Sequence, residues 1–159
     1  MIGIDIRFLQ IDEWPEIEEI EASCDWPIED FDTFKGVFYA DECVSLAGTY
    51  DDKLVAYAIL EVSKEHISVA RLAVDPEFRR KGVGTQMLNY IIGMSLPGEN
   101  QAVAFDTCET NLPAHLFLKR NGFKAVAVVR DYLGEGRDAY MFAYGGGGPV
   151  PKNRLSLPI

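Results

Sequence analysis

Along the 159-residue chain the spacing of apolar positions changes period several times, and each change marks an element. In IDIRFLQ (4–10) apolar Ile4, Ile6 and Phe8 alternate with polar neighbours, which predicts a first strand. Behind Asp12, the residues Trp14, Ile17, Ile20 and Cys24 recur at helical spacing, with Pro15 tolerated in the first turn. Phe31, Phe34 and Phe38 predict a second, short helix after the break at Trp26-Pro27. CVSLAGTY and LVAYAILEVS read as strands joined by a tight turn at Asp51-Asp52-Lys53. HISVARLAV is a further β-rich run, ended by Asp75-Pro76.

Val83, Met87, Leu88 and Ile91 then keep one helical face apolar. AVAFDT predicts a strand, and Pro113 to Arg120 a helix closed by Asn121-Gly122. FKAVAVVRDYL and RDAYMFAY predict a last hairpin around Gly134-Glu135-Gly136. The order of elements predicts a single domain over residues 1–144, an α/β (α+β) mixed sheet flanked by helices, followed by a flexible Gly/Pro-containing tail at 145–159.

Charge narrows the function. The formal net charge is −10, which excludes a nucleic-acid phosphate backbone as a partner class. Between Ile11 and Glu42 stand twelve carboxylates and one cation, Lys35, so the remaining chain is nearly neutral. This segment reads as a solubilising face, or as an approach surface for a cationic acceptor with Glu29, Asp30 and Asp32 at its entrance. With no apolar run of ~18 residues no membrane span is expected. Cys24, Cys43 and Cys108 form no C-x-x-C pair, which argues against a zinc site or a disulfide framework and for a reducing, cytoplasmic setting.

Against this acidic background EFRRKGVGTQML (77–88) stands out, with Arg79, Arg80, Lys81, Gly82, Val83, Gly84 and Thr85 between a strand and a helix. The dinucleotide fingerprint fails because Met87 stands where its third glycine should be, and the P-loop fails because no Lys-Ser or Lys-Thr follows the glycines. What remains is a glycine-permitted close approach to the free amides of a helix N-terminus, which suits a pyrophosphate.

In this setting R-x-x-G-V-G, after a strand ending V-D-P, resembles the coenzyme A signature of the GNAT N-acetyltransferases. CETNLPAHLFLKRNGF and VVRDYLGEGRDAYMFAY are similar to later stretches of the ribosomal-protein alanine N-acetyltransferases within that family. CDWPIEDF resembles the segment after their first helix. The resemblance implies a mostly antiparallel sheet of about seven strands with about four helices, and acetyl-CoA as co-substrate without a metal. It implies that the backbone of Leu72, Ala73 and Val74 pairs with the pantetheine arm, and that an N–H near Val74 stabilises the oxyanion. It further implies that the amides of Arg80 to Thr85 hold the pyrophosphate and that Asn111 bonds the pantetheine region. Arg79 and Arg80 read either as phosphate contacts or as solvated cations.

The family's base, a Glu on the strand before the Asn, is matched here by the shorter Asp106, with Glu109 as a weaker alternative. Its tyrosine acid is replaced by Leu118, so either the thiolate leaves unassisted or another phenol serves, Tyr132 and Tyr140 on the last hairpin being the candidates. His115 is expected to be a surface helix residue and Cys108 to be structural. The resulting expectation is acetyl transfer to a primary amine of a protein or peptide N-terminus. A small-amine acetyltransferase and a weakly catalytic coenzyme A binding module are the alternatives. The enzyme is expected to work as a monomer or homodimer.

Overall fold

The computed structural model describes residues 1–24, 35–36, 41, 43–95 and 101–145. Of the expected helix at Phe31–Phe38 only residues 35–36 are described, and they are helical; the proposed entrance carboxylates and the tail beyond Gly145 lie outside the described residues. Seven strands form one sheet in the order β1-β2-β3-β4-β5-β7-β6. They are β1 (Asp5–Phe8), β2 (Cys43–Tyr50), β3 (Lys53–Val62), β4 (His66–Val74), β5 (Ala102–Cys108), β6 (Lys124–Val129) and β7 (Ala139–Tyr144). Only β4 and β5 run parallel. A parallel pair needs a crossover, and helix α2 (Val83–Gly93) supplies it. Among the described residues the other α-helices with defined bounds are α1 (Trp14–Ala22) and α3 (Leu112–Arg120). Among the described residues no helix is long and apolar enough to cross a membrane.

Turn chemistry follows the sequence. Asp51 and Asp52 both take positive φ (48° and 61°), as a two-residue hairpin turn with the right twist demands. The last hairpin differs from expectation. Strand β6 ends at Val129, and a loop begins there instead of a strand running to Leu133. Asp138 Oδ1 accepts from the Asp131 amide (2.9 Å), and Asp131 Oδ1 accepts from the Gly136 amide (2.7 Å). These carboxylates give the backbone partners that a strand would otherwise supply.

Each face of the sheet carries its own core. Val83, Met87, Leu88 and Ile91 of α2 and Leu118 of α3 pack on Ile67, Val69, Leu72, Val103 and Phe105. On the opposite face Ile17 and Ile20 of α1 pack on Ala47, Tyr57, Ile59, Ala70 and Ala73. The α1 face also buries a charge pair. Arg71 of β4 (2% exposed) donates from Nε and Nη2 to the two carboxylate oxygens of Glu21 (2.9 and 2.7 Å), which is itself fully buried. The Tyr57 hydroxyl donates to the same carboxylate. Burial, and next the Glu21 carboxylate, hold the Tyr57 phenol well above its usual range. Burial opposes the Arg71 charge, but Glu21 outweighs it and leaves the guanidinium more firmly protonated than usual.

A buried pair of this kind stabilises little over an apolar replacement, yet losing one partner strands a charge. Glu21→Leu alone should therefore lower unfolding free energy by about 3–5 kcal/mol. The double variant Glu21→Leu/Arg71→Met should recover most of that loss. Urea denaturation of the two proteins checks this; equal losses in both would contradict it.

Candidate active site

Strand β4 departs from regularity at one residue. Ile59 faces Arg71 and Leu60 faces Val69, so Ala70 is an extra residue bulged out of the β3 ladder. The parallel pairing with β5 stops at the same level, its last partners being Val69 and Phe105. Beyond that point β4 continues to Val74 and β5 to Cys108 without pairing to each other. A bulge increases local twist, which accounts for the parting.

The free length of β4 has a defined hydrogen-bonding sense. The Asp75 amide donates to Val55 O (2.9 Å), which makes Asp75 a hydrogen-bonded position against β3. Antiparallel positions alternate, so Ala73, opposite Tyr57, directs its N–H and C=O to β3. Leu72 and Val74 direct theirs to the side that β5 has left. Of the three residues expected to offer backbone groups, two do so by this register and Ala73 does not.

A cleft of about 880 Å³ opens at the parting, walled by Leu72–Val74, the loop 79–85 and the first turns of α3. Its described wall includes Arg71, Arg79, Arg80 and Arg120 and no carboxylate. In the loop, Arg80 and Gly82 both have positive φ (61° and 83°). Gly82 is the N-cap of α2, and no side chain caps that end. Gln86 N already donates to Gly82 O (3.1 Å), which leaves the amides of Val83, Gly84 and Thr85 as the open donors of the first turn. Gly84 faces Phe117, whose ring would lie 3.3 Å from an added Cβ, so bulk there would press on α3.

Two members of the motif point elsewhere. The Val83 side chain is buried in the core, and the Lys81 ammonium lies 5.3 Å from the Phe78 ring centroid; neither side chain lines the cleft. Arg79 is neither solvated nor free: its Nε donates to Val74 O (2.9 Å) and its Nη2 to Cys24 Sγ (3.5 Å). It thereby ties the loop to the end of β4 and to the exit of α1. Burial, and then Glu21, raise the Cys24 thiol, which keeps it un-ionised. The loop is also braced from behind, because Gln86 Nε2 donates to Ile2 O (2.6 Å) and Gln86 Oε1 accepts from Ile4 N (3.2 Å).

Asn111, 4% exposed, lines the cleft as the N-cap of α3, and its Oδ1 accepts from Ala114 N (3.3 Å). Asp106 is 3% exposed and lies one residue past the last β5–β4 pair, on the α1 face, and it does not line the cleft. Tyr132 is half-buried in the loop after β6. That loop is docked on the turn after β5, where the Glu109 amide donates to Asp138 O (3.0 Å). Leu118 is fully buried in the core, where no proton donor could serve.

Sequence reasoning missed Arg71, Glu21 and the N-terminal brace. A lone arginine inside the apolar run HISVARLAV was a legible signal, since such a charge requires a partner; the brace had none.

The parted strands, the uncapped helix end and the carboxylate-free cationic wall define a site for an elongated anionic ligand. The chain belongs to the acetyltransferase (GNAT) family, whose model matches residues 9–123. It is 26% identical over 117 residues to the [ribosomal protein bS18]-alanine N-acetyltransferase of Salmonella typhimurium, covering 74% of this chain and 76% of that protein. Over 83 residues it is 36% identical to an N-alpha-acetyltransferase of Sulfurisphaera tokodaii, 52% of this chain and about half (48%) of that relative. In fold it is similar to the crystal structure of the ribosomal-protein-S18-alanine N-acetyltransferase from Escherichia coli, with TM-score 0.78, 21% identity, and coverage of 96% and 99% of the two chains. By family and relatives it is an N-acetyltransferase.

His115 departs from the expected surface role. Its ring lies 5.1 Å from Tyr140 and 5.3 Å from Phe142, and because a carbonyl only accepts, its Nε2–H donates to Cys108 O (3.0 Å). Burial depresses its pKa below 6.5, against a smaller opposing effect of that carbonyl. A depressed folded-state pKa means that the unfolded chain binds the proton first, so this stability is present above pH 6.5 and is lost as pH falls through the folded value. NMR titration should find the His115 midpoint below 6.5; a midpoint at or above 6.5 would contradict the placement.

Proposed function

We propose that the protein transfers acetyl from acetyl-CoA to the α-amine of a protein or peptide N-terminus. The observation that carries the co-substrate is the cleft itself: in a chain of net charge −10, its described wall holds Arg79, Arg80 and Arg120 besides the Glu21-paired Arg71, and no carboxylate. The open amides of Val83, Gly84 and Thr85 suit a diphosphate, and the outward backbone groups of Leu72 and Val74 suit an amide-bearing arm lying along β4. The acceptor reading is supported by the relatives, two of which are named for N-terminal or alanine N-acetylation. All three cysteines are free, which agrees with a reducing compartment such as the cytoplasm.

When bound, acetyl-CoA supplies an activated acetyl thioester. The chain's residues do the rest. An N–H of β4 facing the cleft polarises the acetyl oxygen, as fixed backbone donors do in acyl transfer. Asp106, at the point where the strands part, takes the proton that the amine loses on attack. Tyr132 donates a proton to the departing sulfur. Arg79 holds Val74 O in this structure, and its release would hand that acceptor to the ligand.

Thiol release with acetyl-CoA tests the reading, using an alanine-initiated peptide against spermidine and an aminoglycoside. The peptide should be preferred, and turnover confined to the small amines would overturn it. General bases contribute ~10²–10⁴ in rate, so Asp106→Asn should lower kcat by about that factor while coenzyme A binding is kept. Wild-type kcat in that variant across pH 6–9, roughly the range of a tuned base, would remove Asp106 from the mechanism.

A further inference from the structure

Ser68 was not singled out by any motif, yet among the described residues its hydroxyl, like that of Thr107, is buried without a partner. It lies on β4 and is 3% exposed, and its Oγ has no hydrogen-bond partner. Buried hydroxyls are almost always bonded, so an orphan of this kind points to a group missing from the protein itself.

Its position says which group. Ile67 and Val69 belong to the core under α2, and Ala70 to the core under α1, so alternation places the Ser68 side chain on the α1 face. On β5, Val103 and Phe105 face α2, which places Ala104 and Asp106 on the α1 face with it. Ser68 pairs with Ala104, and Asp106 is the next β5 residue on that face, diagonal to Ser68. Ala104 and the bulged Ala70, both with short side chains, complete the square. Diagonal neighbours of paired strands lie roughly 7–8 Å apart at Cα; Ser68 Oγ makes no direct bond to the carboxylate, and one intervening water would join the two.

We propose that Ser68 is a positioning residue that, with the Asp106 carboxylate, holds a water carrying the acceptor's proton. This rests on the assignment of Asp106 as base. As the nitrogen–carbonyl bond forms, the amine passes one proton to the water oxygen, and the same water passes one of its own to Asp106. The carbon–sulfur bond breaks, and the thiolate takes a proton from Tyr132 or solvent. Ser68 exchanges no proton: it accepts from or donates to the water and fixes its place. A short aspartate is thereby given the reach it lacks, since the water bridges the missing methylene.

Ser68→Ala, Ser68→Thr, Asp106→Asn and the double variant Ser68→Ala/Asp106→Asn test this with acetyl-CoA and the alanine-initiated peptide, beside a crystal structure of the wild type with coenzyme A. Loss of one hydrogen bond to the water should lower kcat about three- to tenfold in Ser68→Ala. The coenzyme A thermal shift and the melting temperature should be unchanged, because Ser68 Oγ bonds no other group of the protein. Ser68→Thr should restore most of the rate, and Ser68→Ala should add nothing in the Asp106→Asn background. The crystal should show a water bonded to both Ser68 Oγ and the Asp106 carboxylate. Wild-type kcat in Ser68→Ala, or a crystal with no shared water, overturns the role of Ser68. Wild-type kcat in Asp106→Asn instead overturns the base assignment, so the two failures are distinct. A rate loss in Ser68→Ala that persists in full in the double variant assigns Ser68 a structural effect and overturns the proposal as well.

Discussion

Buried backbone groups must be hydrogen-bonded, and the place where β5 leaves β4 is where this sheet cannot meet that demand alone. One inserted residue, Ala70, shifts the register between Ile59–Arg71 and Leu60–Val69, and the parallel ladder ends at Val69–Phe105. From there the N–H and C=O groups of Leu72 and Val74 face a gap. Arg79 takes up Val74 O, and the remaining groups line a cleft. The same parting places the start of α2 at one end of the gap and the Asp106–Ser68 diagonal at the other. A single register shift thus opens the cleft one residue from Asp106, the proposed base.

Electrostatics are segregated to match. The acidic surplus of the chain sits mainly between Ile11 and Glu42, while the described cleft wall is cationic. One acidic residue of that segment, Glu21, is drawn inside and neutralised by Arg71. Because Arg71 also reaches the cleft wall, the pair joins α1 to the strand that carries the exposed backbone groups. Such a pair adds little net stability and a strict geometric relation between helix and strand.

How far these features were legible in the sequence depended on how local their causes are. The hairpin at Asp51-Asp52, the stripe of α2 and the loop at Arg79–Thr85 follow from neighbouring residues, and each was readable. The helix at Pro113 to Arg120 was readable, and the structure starts it one residue earlier, at Leu112. The end of β6 was not, because the carboxylates of Asp131 and Asp138 compete with the ladder over a span that strand propensity ignores. The bonds of Arg79, the Ile2–Gln86 brace and the orphan Ser68 depend on contacts from distant parts of the chain. His115 looked like a surface residue because its burial comes from β7, 25 or more positions away in sequence. The bulge at Ala70 has no local signature, yet it decides which of Leu72, Ala73 and Val74 can meet a ligand.

That last distinction gives the most direct measurement. Amide hydrogen exchange, resolved by residue, should be followed with and without acetyl-CoA. The account predicts new protection at Leu72 and Val74 and at Val83 to Thr85, with Ala73 protected equally in both states by its pairing with Tyr57. Unchanged exchange at Leu72 and Val74 under saturating acetyl-CoA would contradict it.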